Sequence, residues 1–173
     1  MQLSRRLPFL MVLVIGLSMA FTPAGNAVPV WPSANDTIPR PVGYVNDFEG
    51  LFTDSQKVYL DSLIAGFDRQ TTIQIAVVTI DSNLTRTTNF DNFTLKMMNA
   101  WGVGQKGKNN GILIGISGAY HKIRIQNGYG IEKILSNIET KNIIDTEFIP
   151  YFRKSEYFKG TLNGLRALME RLQ

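Results

Sequence analysis

The chain reads as a three-layer α/β/α sandwich built on a small mixed β-sheet, an α/β fold. Three observations predict it. A β-branched run, Ile73–Ile80, is followed by helical spacing and then by a second apolar run, Ile112–Ser117. A strand, a crossover helix and a strand form a right-handed unit whose strands are parallel. A third run, Lys122–Asn127, alternates polar and apolar residues after the short connection Gly118–His121. That is the pattern of a half-buried strand closing an antiparallel hairpin. Helical periodicities before, between and after these runs supply the covering layers.

In chain order, Met1–Ala27 reads as a targeting segment. Arg5 and Arg6 precede an apolar stretch, Leu7–Phe21, and Gly25-Asn26-Ala27 is a small-residue exit that fits cleavage before Val28. The apolar stretch is short for a bilayer span, which needs about 20 residues. The expected location is therefore periplasmic or secreted, with no stable transmembrane segment in the mature chain. That segment carries two of the 18 basic residues and none of the 14 acidic ones, so the remainder is near +2 rather than +4. With no long basic stripe, nucleic acid is not an expected partner. The absence of cysteine excludes a lipid-anchored amino terminus, disulfides and thiolate metal sites.

Residues 28–41 hold four prolines and read as an extended linker to one domain over 42–173. Thr53 and Gln56 form a capping box, from which a helix is expected to run to about Arg69 with Val58, Tyr59, Leu63, Ile64 and Phe67 facing inward. Phe90, Phe93, Met97, Ala100 and Trp101 mark a second helix capped by Asn89. Ile131–Asn137 reads as a short helix, and Ile143–Phe148 as a helix bent or ended near Pro150. Phe158, Leu162, Leu165, Leu168, Met169 and Leu172 define the inward face of a last helix over Tyr157–Leu172.

Hairpin geometry locates a candidate site. The loop entering the first hairpin strand (Gly102–Gly111) and the loop leaving the second (Gly128–Gly130) must meet at one end of the sheet, near the start of Ile73–Ile80. Six glycines fall in these loops, so backbone can approach closely there. With one His and no Cys, any metal would be a hard cation held by oxygen, Ca2+ or Mg2+. The candidate ligands are Asn109, Asn110 and Glu132, joined by Asp47 if its segment folds back. Gly107, Lys108, Gly111, Gly128, Tyr129 and Gly130 make up the surrounding ligand-binding loops.

Three motifs fall short of catalysis. Gly102–Asn109 approaches a phosphate-binding loop, but it leaves a helix and enters a strand, and Asn109 replaces the hydroxyl that would ligate magnesium. No nucleotide cofactor is expected. Asp81-Ser82-Asn83-Leu84-Thr85 resembles the nucleophile loop of haloacid-dehalogenase-type phosphatases, but Asn83 cannot titrate as the second Asp does. Gly115-Ile116-Ser117-Gly118-Ala119 nears a nucleophile elbow, yet a strand follows where a helix is needed. Turn and loop chemistry accounts for all three.

Several blocks in order resemble the TPM domain family: Val45-Asn46-Asp47, Gln74–Thr79, Ala100–Leu113 with its Trp-Gly-Val-Gly and Lys-Asn-Asn-Gly, Ile123–Glu132 with its Gly-Tyr-Gly, and Ile149-Pro150-Tyr151-Phe152-Arg153. The family includes thylakoid-lumen proteins linked to photosystem II repair and many bacterial envelope proteins. The resemblance implies an extracytoplasmic α/β/α sandwich. Some members are described as acid phosphatases, some as binding calcium or another divalent cation near these loops, and others as adaptors. It assigns Asp47, Glu132 and Arg153 to family positions. The usual Asp of the Lys-Asp-Asn-Gly block is Asn109 here, which weakens a hard cation's site. Arg153 is expected to pair with a carboxylate or an anion.

The expectation is a non-catalytic module that assists assembly, repair or quality control of a membrane-associated envelope partner, with a divalent-cation site. The alternative is a metal-assisted acid phosphatase using Asp47, Asn109 and Glu132, with Arg153 or Lys108 holding phosphate.

Overall fold

The computed structural model describes residues 37–173; the targeting segment and most of the proline-rich linker lie outside them. Four strands form one open sheet in the order β1 (Val45–Asp47), β2 (Gln74–Thr79), β3 (Gly111–Ser117), β4 (Lys122–Asn127). β1 and β3 flank β2 in parallel, and β4 returns antiparallel to β3, so the sheet is mixed as expected. β1 is the strand that the sequence does not announce. Three residues are too few to show a period of two, and its pairing is by backbone alone.

Helix α1 (Asp54–Thr71) starts at the capping box: Gln56 N donates to Thr53 Oγ1 at 3.3 Å, and Thr53 N donates to Gln56 Oε1 at 2.9 Å. Its inward face differs from expectation. Leu60, Ile64 and Phe67 are buried, whereas Val58 is 65% exposed and Tyr59 also faces outward. Spacing i, i+4, i+7 set the stripe, and the β-branched and aromatic side chains before it lie outside it. Helix α2 (Phe90–Trp101) buries Phe90, Phe93 and Met97 as expected, but Ala100 is exposed. A single 3-10 turn, Thr87–Asn89, leads into it, and the Asn89 side chain does not cap it.

The alternation of β2 and β3 sends side chains to both faces. Ile75, Val77, Ile112, Ile114 and Ile116 pack under α1 and the last helix. Val78, Ile80 and Leu113 pack against α2. Fully burying each such side chain contributes about 1.5–3 kcal/mol of transfer free energy. At Gly115 the helix α2 comes close: a Cβ there would lie 2.4 Å from Thr94 Cγ2.

The carboxyl-terminal part is more broken than the periodicity suggests. The helix expected over Ile131–Asn137 is a single turn, α3 (Tyr129–Glu132), followed by a fresh start at α4 (Asn137–Ile143). Ser136 and Glu139 form a second capping box there. A wide π-type turn, Ile144–Phe148, then precedes α5 (Ile149–Phe152), so the expected bend falls one turn before Pro150. Helix α6 (Tyr157–Arg171) buries Leu165, Leu168 and Met169.

Candidate functional site

The glycine loops meet as the hairpin geometry requires, at the amino end of β2, where Gly111 pairs with Gln74. Gly104 N donates to Gln74 Oε1 at 2.9 Å, and Gln105 N donates to Asn110 Oδ1 at 2.8 Å. Gly128 N donates to the Gly111 carbonyl and Gly130 N to the Asn109 carbonyl, both at 2.9 Å. The contact is backbone on backbone. A Cβ at Gly130 would fall 2.2 Å from the Lys108 carbonyl oxygen, and one at Gly128 2.3 Å from that of Asn109. These loops and the end of α2 enclose a cleft of about 660 Å³. Its polar lining includes Gln105, Asn109, Gln126, Asn127, Tyr129 and Glu132.

The candidate residues divide into three groups. Asn109, Gly128, Tyr129 and Glu132 line the cleft, and Tyr129 stands 75% exposed on its rim. Gly107, Gly111 and Gly130 shape the loops. Gly107 sits in the left-handed region (φ 84°), and Gly111 could not take a Cβ, which would lie 2.0 Å from the Val103 carbonyl oxygen. Lys108 Nζ bonds Thr72 Oγ1 at 3.2 Å. The Asn110 amide is committed to the loop itself, its Nδ2 donating to the Thr72 carbonyl at 2.6 Å.

Asp47 and Arg153 form the third group, away from the cleft. Asp47 pairs with Thr79, at the carboxyl end of β2, while the glycine loops sit at Gln74. At about 3.3 Å per residue the two ends are roughly 16–17 Å apart. Asp47 therefore does not fold back to join Asn109 and Glu132. Its carboxylate accepts from Leu51 N (3.0 Å), Phe52 N (2.9 Å) and the Thr79 hydroxyl, fixing the turn into α1. Arg153 follows α5 near the β3–β4 turn, and among the described residues its guanidinium has neither the expected carboxylate partner nor a hydrogen bond.

Among the described residues Glu132 is thus the one carboxylate lining the cleft, which Lys106 also lines. Among the described residues no group of three or more His, Cys, Asp or Glu is arranged to hold a metal ion. What remains is a set of neutral oxygens with one carboxylate, Glu132, and one ammonium, Lys106, on the lining. Asn127 also lines the cleft: its Nδ2 donates to Thr140 Oγ1 at 2.8 Å, while its buried Oδ1 has no partner among the described residues. A buried acceptor without a donor is the position a bound cation or water satisfies. Amide and carbonyl oxygens with a single carboxylate suit a calcium-like ion held weakly, since ligand charge sets affinity.

The near-catalytic motifs are loop chemistry in the structure. Asp81 accepts from Asn83 N, Asn83 Nδ2 and Leu84 N, closing the turn after β2. The Ser117 hydroxyl accepts from Tyr120 N at 3.2 Å.

An open α/β sheet with a glycine-lined cleft at the amino end of its parallel strands defines the class. The chain matches the TPM domain family over residues 45–171 and belongs to it. It is similar to the solution structure of the N-terminal domain of a protein from P. gingivalis, at 30% identity and a TM-score of 0.68, over 75% of this chain and 81% of that one. It shares its fold with the N-terminal domain of the cg2496 protein of Corynebacterium glutamicum, at 13% identity and a TM-score of 0.58, over 76% and 81% of the two chains. No functionally curated protein matches the chain. Among the described residues no helix is long and apolar enough to cross a membrane.

Proposed function

We propose that this TPM domain works in the cell envelope as a non-catalytic binding module. The glycine-loop cleft engages a membrane-associated protein partner and takes up a weakly held divalent cation. Glu132 supplies the charge; Asn109 and loop carbonyls supply neutral oxygens. The observation that carries this reading is the separation of Asp47 from Glu132 by the length of β2. A metal-assisted phosphatase needs both carboxylates on one ion, and here Asp47 is already bonded to three donors of its own. An exposed Tyr beside a glycine-lined cleft suits a partner's contact, because its ring offers apolar area and a hydroxyl together.

Amide NMR during Ca2+ and Mg2+ titration tests the cation. Shifts should centre on residues 105–111 and 127–132, with half-saturation on the order of 0.1–1 mM. Glu132→Gln should abolish them at unchanged melting temperature, while Asp47→Asn should keep them and lower the melt. Phosphate-ester turnover that needs both carboxylates would overturn the reading. For the partner, a photo-crosslinker at Tyr129 should trap a membrane-associated envelope protein, and one at Ser82 should not.

A further inference from the structure

A second pocket, of about 290 Å³, opens at the carboxyl end of the sheet between the β3–β4 turn and the corner joining α5 to α6. Ile123, Ile149 and Phe152 form its apolar wall; His121, Arg153 and Tyr157 are polar groups on its lining. Lys122 also borders it, but its ammonium is turned away, donating to the Thr87 carbonyl at 2.8 Å and lying 5.9 Å from the centroid of the Phe90 ring. Among the described residues Arg153 is therefore the one strong cation available to an occupant.

The corner is built rather than loose. The π-type turn sets Ile149, Phe152 and Arg153 on this side, and Phe148 locks it by filling the space at Gly164, where a Cβ would lie 1.9 Å from the ring. Phe152 stacks at a tilt on Tyr157 with centroids 5.0 Å apart. Two non-glycine residues in the left-handed region flank the pocket, His121 (φ 50°) in the hairpin turn and Ser155 (φ 59°) in the corner. Such backbone conformations persist where surrounding structure holds them, and they gather at ligand sites.

We propose that this pocket binds a small apolar carboxylate, either a free acid or the C-terminal residue of a peptide. Arg153 takes the carboxylate, and Ile123, Ile149 and Phe152 receive the apolar body. The planar guanidinium matches a carboxylate's two oxygens, and here it has no competing partner among the described residues. The charge balance selects a monoanion. Glu49 stands behind the hairpin turn, its carboxylate accepting from Gly118 N at 2.8 Å and Ala119 N at 2.7 Å, and it would repel the second charge of a phosphate monoester. Burial, and then the charge of Glu49, raise the pKa of Tyr157, so its hydroxyl stays a neutral donor. The volume is at the lower limit of ordinary ligand pockets, about 300 Å³, which restricts the occupant to a small body.

The test uses amide NMR and calorimetry on the whole chain with five probes: phenylacetate, phenylacetamide, inorganic phosphate, and a tetrapeptide ending in Phe in free-acid and in amidated form. Phenylacetate, the free-acid peptide or both should shift residues 117–123 and 149–157, and which of them binds identifies the source. Arg153→Met keeps the apolar stem and should weaken binding on the order of tenfold or more, with an unchanged melting temperature because Arg153 is exposed and unpaired. Arg153→Lys should recover part of the loss. Equal binding of the amides, tighter binding of phosphate, no shift with any acid at millimolar concentration, or an unaffected Arg153→Met variant would each overturn the proposal.

Discussion

The two ends of the sheet are held by different chemistry. At the amino end of β2, loops meet by backbone, glycine against carbonyl, and the polar side chains around them are left to line a cleft. At the carboxyl end, carboxylates do the joining. Asp47 gathers Leu51 N, Phe52 N and the Thr79 hydroxyl, and Glu49 takes the two amides of the hairpin turn. An acidic residue in a short motif is therefore a different object at each end. Asp47 is a fastener, because two amides and a hydroxyl already use its oxygens. The Glu132 carboxylate makes no hydrogen bond or ion pair with the described residues and keeps its charge for what enters the cleft.

Breaking the amino end by bulk should give the largest effect. Gly130→Ala places a Cβ 2.2 Å from the Lys108 carbonyl and 3.0 Å from that of Asn109, backbone that cannot swing aside. Urea unfolding should show a loss of roughly 3 kcal/mol or more, the upper range of overpacking. Gly107→Ala is the companion: nothing lies within 4 Å of its Cβ, but its φ is 84°. Its cost should be only the left-handed penalty, about 1–2 kcal/mol. Equal losses for the two would mean that space is not what glycine supplies at Gly130.

Breaking the carboxyl end by charge comes next. Asp47→Ala strips acceptors from two loop amides and from Thr79, which is fully buried. A loss of roughly 2–3 kcal/mol in urea unfolding is expected, set by the donors left unsatisfied. Cation affinity at the cleft should not change. An Asp47→Ala protein of native stability with lost cation binding would reverse the roles assigned to the two ends.

Much of this contrast was legible in the sequence. The alternation of Lys122–Asn127 after a four-residue connection predicts the hairpin, and the hairpin alone brings Gly102–Gly111 beside Gly128–Gly130. The strand–helix–strand order predicts that β2 and β3 are parallel, as they are. The place of Asp47 was not legible, because it depends on β1, an edge strand of three residues with no hydrophobic period of its own. Without β1 the motif Val45-Asn46-Asp47 has no address, and an acid six residues before the helix cap Thr53 looks as available as Glu132. Arg153 was hidden for a related reason. Its position follows from the π-type turn and the Phe148–Gly164 contact, which local periodicity does not encode. The second capping box, Ser136 with Glu139, was readable in the Ser-x-x-Glu pattern itself.

Glu139 gives the smallest effect and the sharpest comparison with Asp47, since it is a carboxylate fastening backbone amides in solvent. Ser136 N donates to its Oε2 at 2.9 Å and the Ser136 hydroxyl at 2.8 Å, while Arg171 Nη2 reaches Oε1 at 2.7 Å. These hold its pKa down at about 2 against an ordinary 4.5; the Ser136 amide is the largest cause, followed by the Ser136 hydroxyl and then Arg171. A depressed carboxylate contributes its full stabilisation only while it is ionised in both states, and part of it between the two pKa values. Its contribution is complete above about 4.5 and declines as pH falls from there toward 2. Melting curves from pH 6 to pH 2.5 should therefore steepen below pH 4.5 in the native chain more than in Glu139→Gln, which has nothing to titrate at that position. Added salt should remove the Arg171 share and leave the Ser136 share, because screening acts on exposed ion pairs more than on hydrogen bonds to a fixed amide. If salt erased the whole difference between the two proteins, the capping box would be an ion pair in effect. The amide-fastening role common to Glu139 and Asp47 would then fail at its exposed example.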